Sequence, residues 1–132
     1  MKCAQIALRW LAAIFFVVAG TFHFLNPERY LEIMPPYLPA PKLLVAVSGA
    51  GEITGGIGLL IPTLRRLAGW GLVALLIAVF PANIYILQHA GQFHLSSSIL
   101  WARLPLQGVF IAWVWFAAIK HAPLQETNSG TL

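Results

Sequence analysis

Long apolar stretches separated by short polar segments run through the chain. Four of them have about the length of a bilayer-spanning helix, which needs roughly 20 mostly apolar residues. They cover residues 6–25, 43–61, 67–87 and 104–119, and a polar tail follows at 121–132. This pattern predicts an all-α membrane protein with a single domain, residues 1–132, in which four transmembrane helices form an up-down bundle.

The segment between the first two apolar stretches has a different pattern. Asn26 followed by Pro27 is typical of a helix start, and the pair Pro35 and Pro36 stops a helix. We therefore predict a short amphipathic helix that lies in the membrane interface. A proline-rich strap follows it, and the whole connector is a candidate lid.

Composition agrees with a membrane location. Hydrophobic residues make up 59% of the chain and charged residues only 9%, whereas a soluble domain carries about 25% charged residues. The net charge is +4, but the basic residues are scattered, so we expect contact with anionic lipid headgroups and not with nucleic acid. The single cysteine excludes an intramolecular disulfide.

The basic residues also predict an orientation. One side of the bundle would carry Arg65, Arg66 and Lys120, close to Lys2 at the start of the chain. Because positive residues are enriched on the cytoplasmic side of a membrane, we expect both termini in the cytoplasm.

Glu52 is the most unusual residue of the chain, because it is the acid that falls in the middle of an apolar stretch. A charge at the centre of a spanning helix costs about 2.5–3.5 kcal/mol on insertion scales. A hydrogen-bond partner, protonation or a bound ligand must offset that cost. A functional role is therefore expected, although the alternative that Glu52 only joins helices stays open.

The polar residues of the four spans are predicted to lie together. Each span carries one prominent polar side chain: His23, Glu52, Asn83 and Gln107. At a rise of 1.5 Å per residue, an up-down bundle places all four in its outer half. Ser48 shares a helix face with Glu52, and Arg103 shares one with Gln107, because each pair is four residues apart. We predict a polar-bottomed, apolar-walled cavity that opens outward.

Other residues of the spans are expected to have structural roles. Pro81 should kink the third span beside Asn83 and open space there. Small residues in the second span are expected at close helix contacts and not in a phosphate-binding loop: Gly49, Gly55 and Gly56. Asn83, Gln107 and His23 could equally serve as hydrogen-bonding links between helices. His89 and His94 are too weak a signal for metal binding, and no metal site is predicted.

Several motifs resemble the DoxX-like family (DoxD- and DoxX-related proteins) of small bacterial membrane proteins. They are Ala19-Gly20-Thr21-Phe22-His23-Phe24, Ser48-Gly49, Glu52-Ile53-Thr54-Gly55-Gly56 and Phe80-Pro81-Ala82-Asn83. The resemblance covers about the first two-thirds of the chain. It implies a four-helix bundle in the bacterial cytoplasmic membrane, and some relatives are associated with quinone reactions as small subunits of oxidoreductases. It identifies no catalytic residue that could be carried over.

Three functions remain in competition. The favoured hypothesis is a subunit that binds a quinone or a quinone-like lipid, with Glu52 as proton carrier, His23 as relay, and Asn83 and Gln107 as donors to carbonyl groups. Because the sequence has no redox motif of its own, this subunit would depend on a redox partner and carry no intrinsic cofactor. The alternatives are a proton-coupled transporter, which would need a homodimer, and a non-catalytic scaffold for a partner complex.

Overall fold

The fold is known from a computed structural model that describes residues 2–89, 91 and 96–120. The polar tail predicted at 121–132 lies outside the described residues, as does His94. The described part is helical and contains no strand. Its elements are α1 (Lys2–Leu25), α2 (Pro27–Glu32), α3 (Pro41–Leu60), α4 (Arg65–Ala78), α5 (Phe80–Gln88), α6 (Ser97–Val114) and a π-helical segment (Trp115–Ile119).

Four helical segments are long and apolar enough to cross a membrane: Cys3–Leu25, Pro41–Leu60, Arg65–Gln88 and Ser98–Ile119. The third combines α4 and α5, and the fourth combines α6 and the π-helical segment. This arrangement is compatible with a multi-pass membrane protein.

The last span begins well before residue 104, where the sequence pattern placed its start. Ser96 occupies the N-cap position of α6, and its side chain accepts a hydrogen bond from the N–H of Ile99 at 3.4 Å. A serine that satisfies a free N–H group at a helix start stabilises that start. Arg103 therefore lies inside α6 and not just before it.

The short helix α2 begins at Pro27, as predicted, but Asn26 does not cap it through its side chain. Asn26 is at the N-cap position, yet its side chain makes no capping hydrogen bond. Its backbone N–H instead donates to the carbonyl of Phe22 at 2.9 Å, which continues the turn of α1. α2 packs against α1 and α3.

Glycines allow α1 and α3 to approach closely. A Cβ placed on Gly49 would lie 2.6 Å from the Cβ of His23 and 2.9 Å from the carbonyl oxygen of Gly20. A Cβ on Gly56 would lie 2.9 Å from the carbonyl oxygen of Ala13. The end of α1 thus contacts the first half of α3, and the middle of α1 contacts the second half.

The opposite side of α3 packs against α4 in the same manner. A Cβ on Gly55 would lie 2.7 Å from the side chain of Leu72, and one on Gly58 would lie 2.7 Å from the Cβ of Ala68. The glycines singled out in the sequence therefore lie at helix contacts. A buried apolar cluster completes the packing on the side of the bundle where these helices meet the last span: Ala12, Ala13, Phe16, Leu59, Leu72, Val73, Val114, Ala118 and Ile119.

Candidate functional site

A cavity of about 320 Å³ lies between the four spans and α2. Ligand pockets have volumes of about 300–1,000 Å³ and mostly apolar walls with a few placed polar groups. Apolar side chains form most of this wall as well. All the polar side chains that the sequence singled out line the cavity: His23, Ser48, Glu52, Asn83, Arg103 and Gln107.

A larger groove of about 570 Å³ runs between α3 and α4. Its lining consists of small and aliphatic residues with Thr54 as the polar exception, and it contains no charged side chain. Thr54 uses its hydroxyl group to donate to the carbonyl of Ala50 at 2.8 Å. The groove has no group for acid–base chemistry, so the smaller, polar cavity is the candidate site.

Glu52 and His23 meet on one side of the cavity. Glu52 Oε2 lies 3.5 Å from His23 Nε2, and the two side chains are only 16% and 10% exposed. This separation is at the outer limit of a hydrogen bond. Within the described residues Glu52 Oε2 is buried without a hydrogen-bond partner. The oxygen therefore retains an unused hydrogen-bonding position.

The backbone of α3 determines which nitrogen of His23 carries a hydrogen. His23 Nδ1 lies 3.1 Å from the carbonyl oxygen of Val45. A carbonyl can only accept a hydrogen bond, so Nδ1 must be the donor. In the neutral imidazole, Nε2 is then an acceptor that faces the carboxyl group of Glu52. Glu52 and His23 can thus share one proton, either as a neutral acid and base or as an ion pair.

Tyr30 packs against the histidine of this pair. Its ring stacks on the imidazole of His23 with centroids 3.9 Å apart and ring planes 25° apart. Tyr30 lies on α2, outside the spans, and lines the cavity together with Ile33 and Met34. Burial raises the pKa of the Tyr30 hydroxyl group. Tyr30 therefore remains a hydrogen-bond donor at neutral pH.

The opposite side of the cavity contains two amides at a break in the third span. α4 ends at Ala78, and Pro81 lies in the first turn of α5, where its missing N–H costs no helical hydrogen bond. Asn83 Nδ2 donates to Gln107 Oε1 at 2.7 Å, and Gln107 Nε2 donates to the carbonyl of Leu76. Gln107 is buried. It links α6 to both halves of the broken span, which favours the structural role that the sequence left open for it.

Arg103 and Ser48 also line the cavity, but they are not part of the hydrogen-bonded link between Asn83 and Gln107. Arg103 is half-buried, lines the cavity and forms no ion pair with any described residue. Ser48 also lines the cavity, one helical turn before Glu52. The cavity thus has an acid–base side formed by His23 and Glu52 on α1 and α3. A cationic side is provided by Arg103 on α6.

Replacing Gln107 with leucine should lower the free energy of unfolding by about 1 kcal/mol. Interhelical hydrogen bonds in membranes contribute about 0.6 kcal/mol on average and at most about 1.7 kcal/mol, and Gln107 makes two. Unfolding in mixed detergent micelles, followed by circular dichroism, measures the change. Asn83→Leu in the same background completes a double-mutant cycle, in which full additivity would contradict the shared hydrogen bond.

The backbone carbonyl groups that accept hydrogen bonds from the cavity residues could not be predicted from the sequence. The sequence drew attention to His23 and Gln107, but not to the carbonyl groups of Val45 and Leu76 that orient them. The sequence analysis also does not predict the stacking of Tyr30 on His23, although Tyr30 belongs to the predicted lid. A signal for it exists, since seven residues separate the two rings and a continuous helix would place both on one face.

Four helical segments long and apolar enough to cross a membrane surround a cavity with a few polar side chains, an arrangement compatible with a small multi-pass membrane protein. Residues 11–118 match the family described as Domain of unknown function (DUF8561), and the chain belongs to that family. The matched segment includes every residue that lines the cavity. No curated protein and no solved structure matches the chain.

Proposed function

We propose that this protein is an up-down bundle in a bacterial cytoplasmic membrane and that its cavity binds one quinone or quinone-like lipid. It would act as an accessory subunit of an oxidoreductase, as the resemblance to the DoxX-like family implies. Electrons would come from a partner protein. This chain would contribute the binding site and a proton.

The order of helix contacts supports the up-down arrangement. Gly49 meets Gly20 while Gly56 meets Ala13, so α1 and α3 run in opposite directions along their contact. Gly69 lies beside Ala118 and Ile119, whereas Leu76 meets Gln107, so the third and fourth spans are opposed as well. The termini would then share one side, and the positive residues near it favour the cytoplasm.

The ligand proposal rests mainly on the environment of one atom, Glu52 Oε2. It is buried in an apolar-walled cavity, has no hydrogen-bond partner among the described residues and lies 3.5 Å from a basic nitrogen. A buried polar group without a partner is unfavourable by about 1–3 kcal/mol. A ligand carbonyl that accepts a hydrogen bond from the protonated Glu52 would remove that penalty.

The remaining walls fit the other parts of a quinone. A quinone ring carries two carbonyl groups on opposite edges, and Arg103, which lines the cavity from a different helix than Glu52, would offer a donor to the second carbonyl group. Phe15 and Phe110, stacked with centroids 5.0 Å apart, provide flat apolar surface for the ring. The isoprenoid tail would extend between helices into the lipid.

The proton chemistry follows from the His23–Glu52 pair. Reduction of a quinone to a quinol takes up two electrons and two protons. Glu52 would donate one proton to the nearer carbonyl oxygen and would be reprotonated through His23 from the outer surface, while the second proton would reach the other carbonyl oxygen from the partner protein that supplies the two electrons. Tyr30 and α2 would act as the lid, since they cover this pair and separate it from the interface.

A binding experiment on the purified full chain tests the proposal. A short-chain ubiquinone should raise the unfolding temperature of the protein in detergent micelles. Glu52→Met, which removes the donor, should weaken binding about tenfold, equivalent to about 1.4 kcal/mol. Glu52→Gln keeps a donor and should retain most of the affinity.

Two controls distinguish specific recognition of the quinone from non-specific binding of an apolar compound. Thr54→Val alters the same helix at an exposed position that faces the other groove and should leave binding unchanged. A methylated naphthalene without carbonyl groups has a similar apolar shape. Equal stabilisation by this compound, or none by ubiquinone, would refute the quinone site and leave the transporter and the scaffold as the remaining candidates.

A further inference from the structure

Two arginines lie at the end of the bundle away from α2. Arg9 is on α1, and Arg65 is the first residue of α4. Arg9 Nε donates to the carbonyl of Ala117 at 3.0 Å, and Arg65 Nε donates to the carbonyl of Leu59 at 2.8 Å. Each guanidinium group is therefore held by one nitrogen. The two terminal nitrogens of each group make no hydrogen bond to a described residue.

The carbonyl groups are available because both helices end there. Leu59 is in the last turn of α3, where helical carbonyls lack an intrahelical donor. Ala117 is in the π-helical segment, whose wider turn is marked by the hydrogen bond from Lys120 N–H to the carbonyl of Trp115, 2.9 Å long. Backbone acceptors thus fix the directions of both arginine side chains.

The two positive charges have no acidic counterpart nearby in the described structure. Their carbonyl acceptors lie in segments that pack together, since Leu59 and Ala118, the residue after Ala117, belong to one buried cluster, so both guanidinium groups lie at the same end of the bundle. The described acids are Glu28 and Glu32 on α2, at the far end of α1, and Glu52, about two turns from Leu59 and paired with His23. Like charges held together at a membrane boundary are unfavourable unless an anion lies between them.

The start of α4 adds a further attraction for an anion. Its first turn contains backbone N–H groups without helical acceptors, and Leu64 at the N-cap position supplies no side-chain cap. These groups belong to the same turn as Arg65. Guanidinium forks suit phosphate oxygens, since each can donate two parallel hydrogen bonds.

We propose that Arg9 and Arg65, together with the first turn of α4, form a binding site for one phosphate group at the membrane surface opposite α2. The phosphate belongs either to a lipid headgroup or to a free anion. The site is independent of the cavity and of any quinone.

Native mass spectrometry of the full chain in mixed phosphatidylglycerol and phosphatidylcholine tests the lipid source. The ratio of bound phosphatidylglycerol to bound phosphatidylcholine should fall about fivefold in Arg9→Gln and about fivefold in Arg65→Gln. Arg66→Gln is the matched control, because it removes the same charge from the neighbouring exposed position, where no backbone carbonyl holds the side chain. An equal fall in all three variants, or no fall in any, would overturn the site.

Inorganic phosphate added in a neutral detergent tests the other source. Stabilisation by phosphate in the wild type and in Arg66→Gln, but not in Arg9→Gln or Arg65→Gln, would assign the site to a free anion. If the glutamine variants do not fold, hydrogen exchange on the unaltered chain decides. Phosphatidylglycerol or phosphate should slow amide exchange in the first turn of α4 relative to phosphatidylcholine alone, and unchanged exchange with both would reject the proposal.

Discussion

Replacing Gly49 with leucine should lower the free energy of unfolding by about 3 kcal/mol. A side chain at this position would meet the Cβ of His23 at 2.6 Å and the carbonyl oxygen of Gly20 at 2.9 Å. Neither atom is the end of a flexible side chain, so α1 and α3 must move apart. Overpacking typically costs about 1–3 kcal/mol, and a contact with backbone belongs at the upper end of that range.

Gly71→Leu is the control for this substitution. Gly71 lies in the middle of α4, and a Cβ placed there has no neighbouring atom within 4 Å. Leucine favours the helix over glycine by up to about 1 kcal/mol, so this variant should be unchanged or slightly more stable. Unfolding by sodium dodecyl sulfate in mixed micelles compares the two. Similar losses in both variants would show that Gly49 is not a close-packing position.

The same substitution should also disturb the cavity. Gly49 contacts His23 directly, and His23 is held between the carbonyl of Val45 and the ring of Tyr30. Moving α1 away from α3 would pull His23 from Glu52. The close packing of the glycines and the geometry of the acid–base pair therefore depend on one contact.

The helical architecture was largely readable from the sequence. Each predicted apolar stretch corresponds to a helical segment long enough to cross a membrane, because the cost of exposing backbone polar groups to lipid leaves few alternatives to helical hydrogen bonding. The start of α6 was misjudged, because Ser96 acts as a helix cap although the serines of that segment read as part of a loop. Pro81 indicated the irregularity in the third span, which the structure shows as two helices that meet at Val79.

The polar residues that line the cavity could be predicted from the sequence, but their hydrogen-bond partners could not. Polar residues are rare in the apolar spans, so four of them could be recognised as candidates from the sequence: His23, Glu52, Asn83 and Gln107. His23 and Gln107 donate to backbone carbonyl groups of other helices, and such acceptors are present at every residue. No sequence pattern distinguishes Val45 or Leu76 from its neighbours, so the tautomer of His23 and the linking role of Gln107 required the tertiary structure.

Arg9 and Arg65 show the same limit. In the sequence they are topology signals, since positive residues near span ends set orientation. Arg9 donates to Ala117, which is distant in the sequence, and Arg65 donates to Leu59 across the short turn between α3 and α4, so both bonds depend on the meeting of these helix ends with the last span. A role in binding phosphate rests on that meeting and not on charge alone.

Replacing His23 with phenylalanine should destabilise the protein by about 3 kcal/mol, and adding Glu52→Met should recover most of that loss. Phenylalanine keeps the stacking with Tyr30 but leaves the buried carboxyl group of Glu52 without its basic neighbour. Removing one partner of a buried pair costs about 3–5 kcal/mol, whereas replacing both by apolar residues is often neutral or stabilising. Glu52→Met alone should cost less, because His23 keeps its bond to Val45.

The wild type, His23→Phe, Glu52→Met and the double variant form a double-mutant cycle. This cycle shows whether the His23–Glu52 pair stabilises the fold or serves ligand binding. The unfolding free energies of these four proteins in mixed micelles, together with ubiquinone binding, are the two measurements. A double variant that is as stable as the wild type but no longer binds ubiquinone would mean that the pair is present for its chemistry and not for the fold. A double variant as unstable as His23→Phe would contradict this, because the polar contact itself would then hold α1 against α3.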